Sequence, residues 1–108
     1  MESAGMDTPP PAGSYALLGE AARKHYFAFY KHIFAGQGRA LDRKTRELVA
    51  IAASLAVNCN NCLDGHIKKA RQSGATEAEI AEVVEVTLAV SAAAIVDRAD
   101  GCAARLGT

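Results

Sequence analysis

The sequence predicts an all-α fold, a compact helical bundle. Three observations carry that prediction. Half of the residues are apolar, yet there are only three Tyr, three Phe and no Trp, so the apolar content is alanine, valine, leucine and isoleucine. Alanine-rich chains of this kind favour closely packed helices. Apolar residues recur at three- and four-residue steps over long windows, and no stretch shows the period-two alternation of a strand. Capping and stop residues also bracket each window.

Residues 1–13, rich in Pro and Gly around Pro9-Pro10-Pro11, read as an extended arm, and residues 14–108 as a single helical domain. Ser14 can cap a first helix running to about Ala35, with Gly36 as its stop; Tyr15, Leu18, Ala22, Tyr26, Phe29 and Ile33 form its apolar stripe. Asp42 can cap a second helix from about Arg43 to Val57, which is apolar almost all round after Glu47 and is therefore expected to be central. Asn58 breaks that pattern and, as a good N-cap residue, is expected to start a third helix at Cys59 or Asn60, closing at Gly74.

Thr76 and Glu79 spell the T-x-x-E capping box of a fourth helix. It is expected to reach about Arg98, be interrupted at Gly101, and leave a short helical tail to Leu106. Its segment Ala89 to Ala94 suits either the inside of the bundle or a subunit interface, because small residues let helices approach closely.

Twelve basic and twelve acidic residues cancel, so there is no electrostatic case for nucleic acid or an anionic membrane as partner. The longest apolar stretch, Leu88 to Val96, falls far short of the roughly 20 residues that cross a bilayer. The first residues show neither a basic n-region nor an apolar h-region, so a cytoplasmic location is expected. In that compartment structural disulfides are rare, and three cysteines point to catalytic or metal-binding thiols.

The chemistry concentrates in Asn58 to His66, which reads Cys59-x-x-Cys62-x-x-x-His66. Two thiols at this spacing can close a disulfide within one turn. Near a helix N-terminus, unpaired N–H groups favour the thiolate. His66, four residues after Cys62, returns to within roughly 40° of the same helical direction, where an imidazole can take the thiol proton. If the second and third helices fold back antiparallel, Glu47 and His66 come to similar depth, since each lies some eight to ten residues from the turn at about 1.5 Å per residue. A carboxylate there can orient the imidazole and reach the thiols only through it or a water. On this reading Cys62 attacks a peroxide or a partner disulfide and Cys59 resolves the product; the opposite order stays open, because Cys59 is nearer the helix end.

Glu47, eleven intervening residues, Cys59-x-x-Cys62, three more, and His66 resemble the signature of alkylhydroperoxidase D and the wider carboxymuconolactone decarboxylase-like superfamily. The resemblance runs from about Leu41 to Arg98 and includes the Glu-led apolar helix, the Gly74 stop and the T-x-x-E-I helix. It implies an all-helical domain assembled as a homo-oligomer, a trimer or hexamer. It also implies peroxide reduction through Cys59 and Cys62, with Glu47 and His66 as the proton relay, a hydroperoxide substrate, a dithiol reductant and no cofactor. One departure stands out: alkylhydroperoxidase D carries a histidine directly before the second cysteine, where this chain has Asn61, an amide that exchanges no proton at neutral pH. The decarboxylase branch lacks the cysteine pair, so decarboxylation is not implied.

Other readings compete. Cys59, Cys62 and His66 could ligate zinc with Cys102 or Glu47 as a fourth group, although no second Cys or His pair completes a closed site. The thiols could also serve as a redox sensor that changes assembly without turnover. Cys102 reads as a small buried or lightly exposed thiol, and His25 and His32 as solvated or interface residues. Tyr26, Phe27, Phe29, Tyr30 and Phe34 suit core packing or the wall of a substrate or subunit pocket.

Overall fold

In the computed structural model, residues 15–107 are described; the expected arm and the expected cap Ser14 lie outside them. The described residues form four helices and no strand: α1 (Glu20–Ala35), α2 (Arg43–Ala56), α3 (Asn60–Gln72) and α4 (Glu77–Leu106). The all-α prediction therefore holds. They fall into two compact units that divide between Ala40 and Leu41.

The first unit contains α1, which begins at Glu20 rather than beside Ser14. Tyr15 takes a left-handed backbone (φ 71°), a conformation that stops a helix from passing through it. Its ring instead packs on Tyr26 and Phe27, with centroids 5.0 and 5.2 Å apart. The stack continues from Tyr26 to Tyr30 and from Tyr30 to Phe34. The hydroxyl of Tyr26 is pushed up to about 12, first by its hydrogen bond with the Tyr15 hydroxyl and then by burial. No residue of α1 is buried, so these aromatics do not build a core.

The second unit holds α2, α3 and α4, with α2 packed against both of the others. That is the central place expected of it. Asp42 caps α2 by accepting the Thr45 N–H at 2.8 Å. The core is small: Ile51 and Ala70 are fully buried and Ala75 and Ile80 join them, with Leu48, Leu55, Leu63, Ile67 and Val83 packed around.

Both turns of this unit follow one scheme. At the end of α2, Asn58 is left-handed (φ 60°), its N–H donates to Leu55 O, and the Cys59 N–H reaches back to Ser54 O at 3.0 Å. At the end of α3, Gly74 is left-handed (φ 95°), its N–H donates to Arg71 O, and the Ala75 N–H reaches Ala70 O at 2.9 Å. Each is a Schellman closure, which satisfies the last carbonyls of a helix and reverses the chain. Asn58 is thus the terminator of α2 and not the N-cap of α3. Cys59 takes the cap position, its sulfur accepting the Cys62 N–H.

The capping box at Thr76 and Glu79 forms in both directions. Beyond it α4 runs unbroken through Gly101 to Leu106. An interior glycine costs a helix only about 1 kcal/mol, too little to interrupt one of this length. From Leu88 to Asp100 every residue is exposed, so Ala89 to Ala94 do not form the inside of this bundle.

Candidate thiol redox site

Three short-range decisions position the site. The left-handed Asn58 turns the chain, the Cys59 N–H anchors it to Ser54 O, and Ser54 Oγ donates to Ala50 O one turn earlier. Along α2 the buried residues are Glu47, Ala50, Ile51 and Ser54, steps of three and one that keep a single stripe against α3 and α4. The carboxylate of Glu47 therefore points into the interior with only 2% of the residue exposed.

A carboxylate in such a place requires a polar partner, because desolvation without one costs several kcal/mol. The partner is His66 of α3, 6% exposed, whose Nδ1 lies 2.7 Å from Glu47 Oε1. The ionised carboxylate only accepts, so Nδ1–H donates, and Nε2 becomes the basic position of the neutral ring.

Cys59 and Cys62 are joined as a disulfide, and both are partly exposed. Their segment opens α3, where Cys59 Sγ accepts the Cys62 N–H at 3.2 Å. This places the sulfurs at the positive end of a 13-residue helix whose dipole favours a thiolate. His66 lies one turn further along the same helix. Peptide geometry thus joins the disulfide, the imidazole and the carboxylate: sulfurs at the mouth of α3, the ring one turn in, and the acid behind the ring on α2.

Of the residues singled out from sequence, Glu47, Cys59, Cys62 and His66 share this region. Cys102 does not join them in a described contact; it is a free, exposed thiol on α4. His25 and His32 are exposed on α1. Among the described residues no group of three His, Cys, Asp or Glu side chains converges as a metal site, and with the sulfurs bonded to each other neither is a thiolate ligand in this form. Asn61 is exposed on the first turn of α3. Sequence reasoning missed Ser54. Its signal is a lone hydroxyl in an apolar run, seven residues and about two turns after Glu47 on the same stripe.

Among the described residues no helix is long and apolar enough to cross a membrane. The profile of the carboxymuconolactone decarboxylase family matches residues 20–104. A Paracoccus denitrificans protein described as "Uncharacterized protein 4 in cox locus" is 36% identical over 85 residues, covering 73% of this chain and 75% of its own length. A Haemophilus influenzae protein described as "Uncharacterized protein" is 42% identical over 36 residues, about a third of each chain. No solved structure gives a significant match. The chain, with its all-helical architecture and its Cys59–Cys62 pair, belongs to the carboxymuconolactone decarboxylase family.

Proposed function

We propose that this protein is a thiol-dependent peroxidase that reduces hydroperoxides through Cys59 and Cys62 with Glu47 and His66 as a proton relay. The observation that carries the reading is the buried Glu47–His66 hydrogen bond one helical turn behind a partly exposed disulfide. A structural disulfide has no use for a desolvated acid–imidazole pair behind it. A redox dithiol does, because each half-reaction moves a proton.

In the reduced protein, His66 takes the proton of Cys62 and the thiolate attacks the distal oxygen of ROOH. The S–O bond forms as the O–O bond breaks, and the proton returned by the imidazolium releases ROH. Cys62 is now a sulfenic acid. Cys59, at the N-cap, attacks its sulfur as a thiolate; the S–S bond forms and the hydroxyl leaves as water after protonation. The product is the disulfide form described above. A dithiol, free or on a protein, then restores both thiols by exchange. Glu47 stabilises the imidazolium between the two transfers and holds the ring in one tautomer.

The working form is a homo-oligomer. Val86, Leu88, Val90, Ile95 and Val96 are each more than half exposed on one helix, and exposed apolar side chains gathered on one element favour association with a partner. The test of the catalytic reading is peroxide consumption by the reduced protein with a dithiol in excess. Multiple turnovers per chain, abolished by Cys62→Ser, support it; one equivalent consumed and no more refutes it in favour of a single-use sensor.

A further inference from the structure

We infer that the groove between α2 and α4 is a docking surface for helix α1 of a second copy of this chain. This deepens the homo-oligomer reading above and rests on it.

The groove has a volume of about 340 Å³, floored by Leu48, Val49 and Ala52 of α2 and Val83 and Val86 of α4, with Glu82 at its edge. Its apolar row continues along α4 to Val90, 65% exposed. The charge on α4 is one-sided. From Glu77 to Val96 the helix carries Glu77, Glu79, Glu82 and Glu85 and not one Lys or Arg. Glu77 is paired with Arg71 and Glu79 with Lys44. Glu82 and Glu85 form no ion pair among the described residues. The groove is therefore apolar along its floor and carries the uncompensated Glu82 carboxylate at its edge, with Glu85 three residues further along α4.

Helix α1 has the complementary character. It carries Arg23, Lys24 and Lys31 against the single acid Glu20, and Lys24 and Lys31 form no ion pair among the described residues. It presents Phe29 at 63% exposure and an aromatic row that is nowhere buried. An amphipathic helix laid into an apolar groove is a common mode of recognition, with the flanking charges fixing partner and direction. Two features of this one sequence, a basic aromatic helix and an acid-edged groove, thus solve each other's exposure when copies associate. Each copy has one of each, so contacts of this type form a reciprocal pair, or a ring where the rotation between copies closes.

The experiment uses the full chain, by sedimentation velocity at low and high ionic strength. Two charge-reversed proteins are made, Lys24→Glu with Lys31→Glu and Glu82→Lys with Glu85→Lys; all four positions are exposed, so the fold is left intact. The wild-type protein is expected to associate, more weakly at high salt. Each reversed protein alone is expected to associate at least about tenfold more weakly, and an equimolar mixture of the two to recover assembly. A wild type that stays monomeric overturns the inference together with the oligomer reading. A wild type that assembles while the reversed proteins do so equally well overturns the α1 docking alone. So does a mixture that fails to recover what each variant lost. Peroxide turnover, measured in parallel, reports on the catalytic reading independently.

Discussion

Glu47 and His66 stand nineteen residues apart in the chain and 2.7 Å apart in the fold, both almost wholly out of reach of water. The contact joins α2 to α3 and couples the stability of the second unit to the proposed proton chemistry. Removing one member of a buried pair leaves the other without compensation, a loss of about 3 to 5 kcal/mol. Glu47→Ala is therefore expected to lower the urea midpoint severely, and Glu47→Gln, which keeps an acceptor for Nδ1–H, to lower it far less. Peroxide turnover of the folded Gln variant should fall about a hundredfold, since the imidazolium loses its counter-charge. Unchanged turnover in Glu47→Gln would remove Glu47 from the relay.

The order of attack can be read by mass. With Cys62 as the attacking thiolate, Cys59→Ser treated with an alkyl hydroperoxide accumulates a sulfenic acid on Cys62, which a dimedone adduct captures. Cys62→Ser gives no adduct at Cys59 under the same treatment. An adduct on Cys59 in the second protein and none on Cys62 in the first reverses the assignment.

The two left-handed closures make opposite demands on substitution. At Gly74 a Cβ would meet nothing within 4 Å, so Gly74→Ala has no clash to relieve and registers only the backbone penalty of φ 95°, about 1 to 2 kcal/mol. At Asn58 the penalty is already present. Asn58→Gly is expected to be neutral or slightly stabilising in chemical denaturation, and Asn58→Val to cost more than 1 kcal/mol. Equal stability for the Gly and Val proteins would contradict the Schellman description.

Two helix starts should give way in acid. The Asp42 carboxyl is held below its ordinary 3.8 by its hydrogen bonds from the Thr45 side chain and N–H. Glu79 is held below 4.5 by the Thr76 N–H and then by Lys44. Because the folded-state values are depressed, this stabilisation is fully present above roughly pH 5 and is lost as the pH falls through the two folded-state values. Thermal melts should decline over that interval, and Asp42→Asn with Glu79→Gln should flatten the decline. A profile as steep in that double variant as in the wild type would assign acid sensitivity elsewhere.

Much of this was legible in the residue order. The Asp42 cap, the Thr76–Glu79 capping box and the Gly74 stop are local signals, each decided within a few residues, and each is found in the structure. The meeting of Glu47 with His66 followed from rise per residue about a turn. Asn58 misled, because the side chain that suits an N-cap also tolerates a left-handed C-terminal position. Only the backbone pairing of Cys59 with Ser54 decides between them. The start of α1 depended on Tyr15 stacking on Tyr26 and Phe27, a contact between residues eleven and twelve apart that no capping rule encodes. The continuity of α4 through Gly101 was missed because one glycine weighs little against the cooperativity of thirty residues.

Cys59 is both half of a disulfide and the residue whose sulfur receives the Cys62 N–H in the first turn of α3. A disulfide sulfur is a feeble acceptor, whereas a thiolate in the same spot carries full negative charge at the positive pole of the peptide dipoles. Gaining electrons should therefore tighten the opening coil of α3 instead of loosening it. The affinity of this chain for electrons is in that sense partly a property of its backbone: whatever steadies those few amides draws the sulfurs toward the reduced state, and whatever frays them favours the bridge.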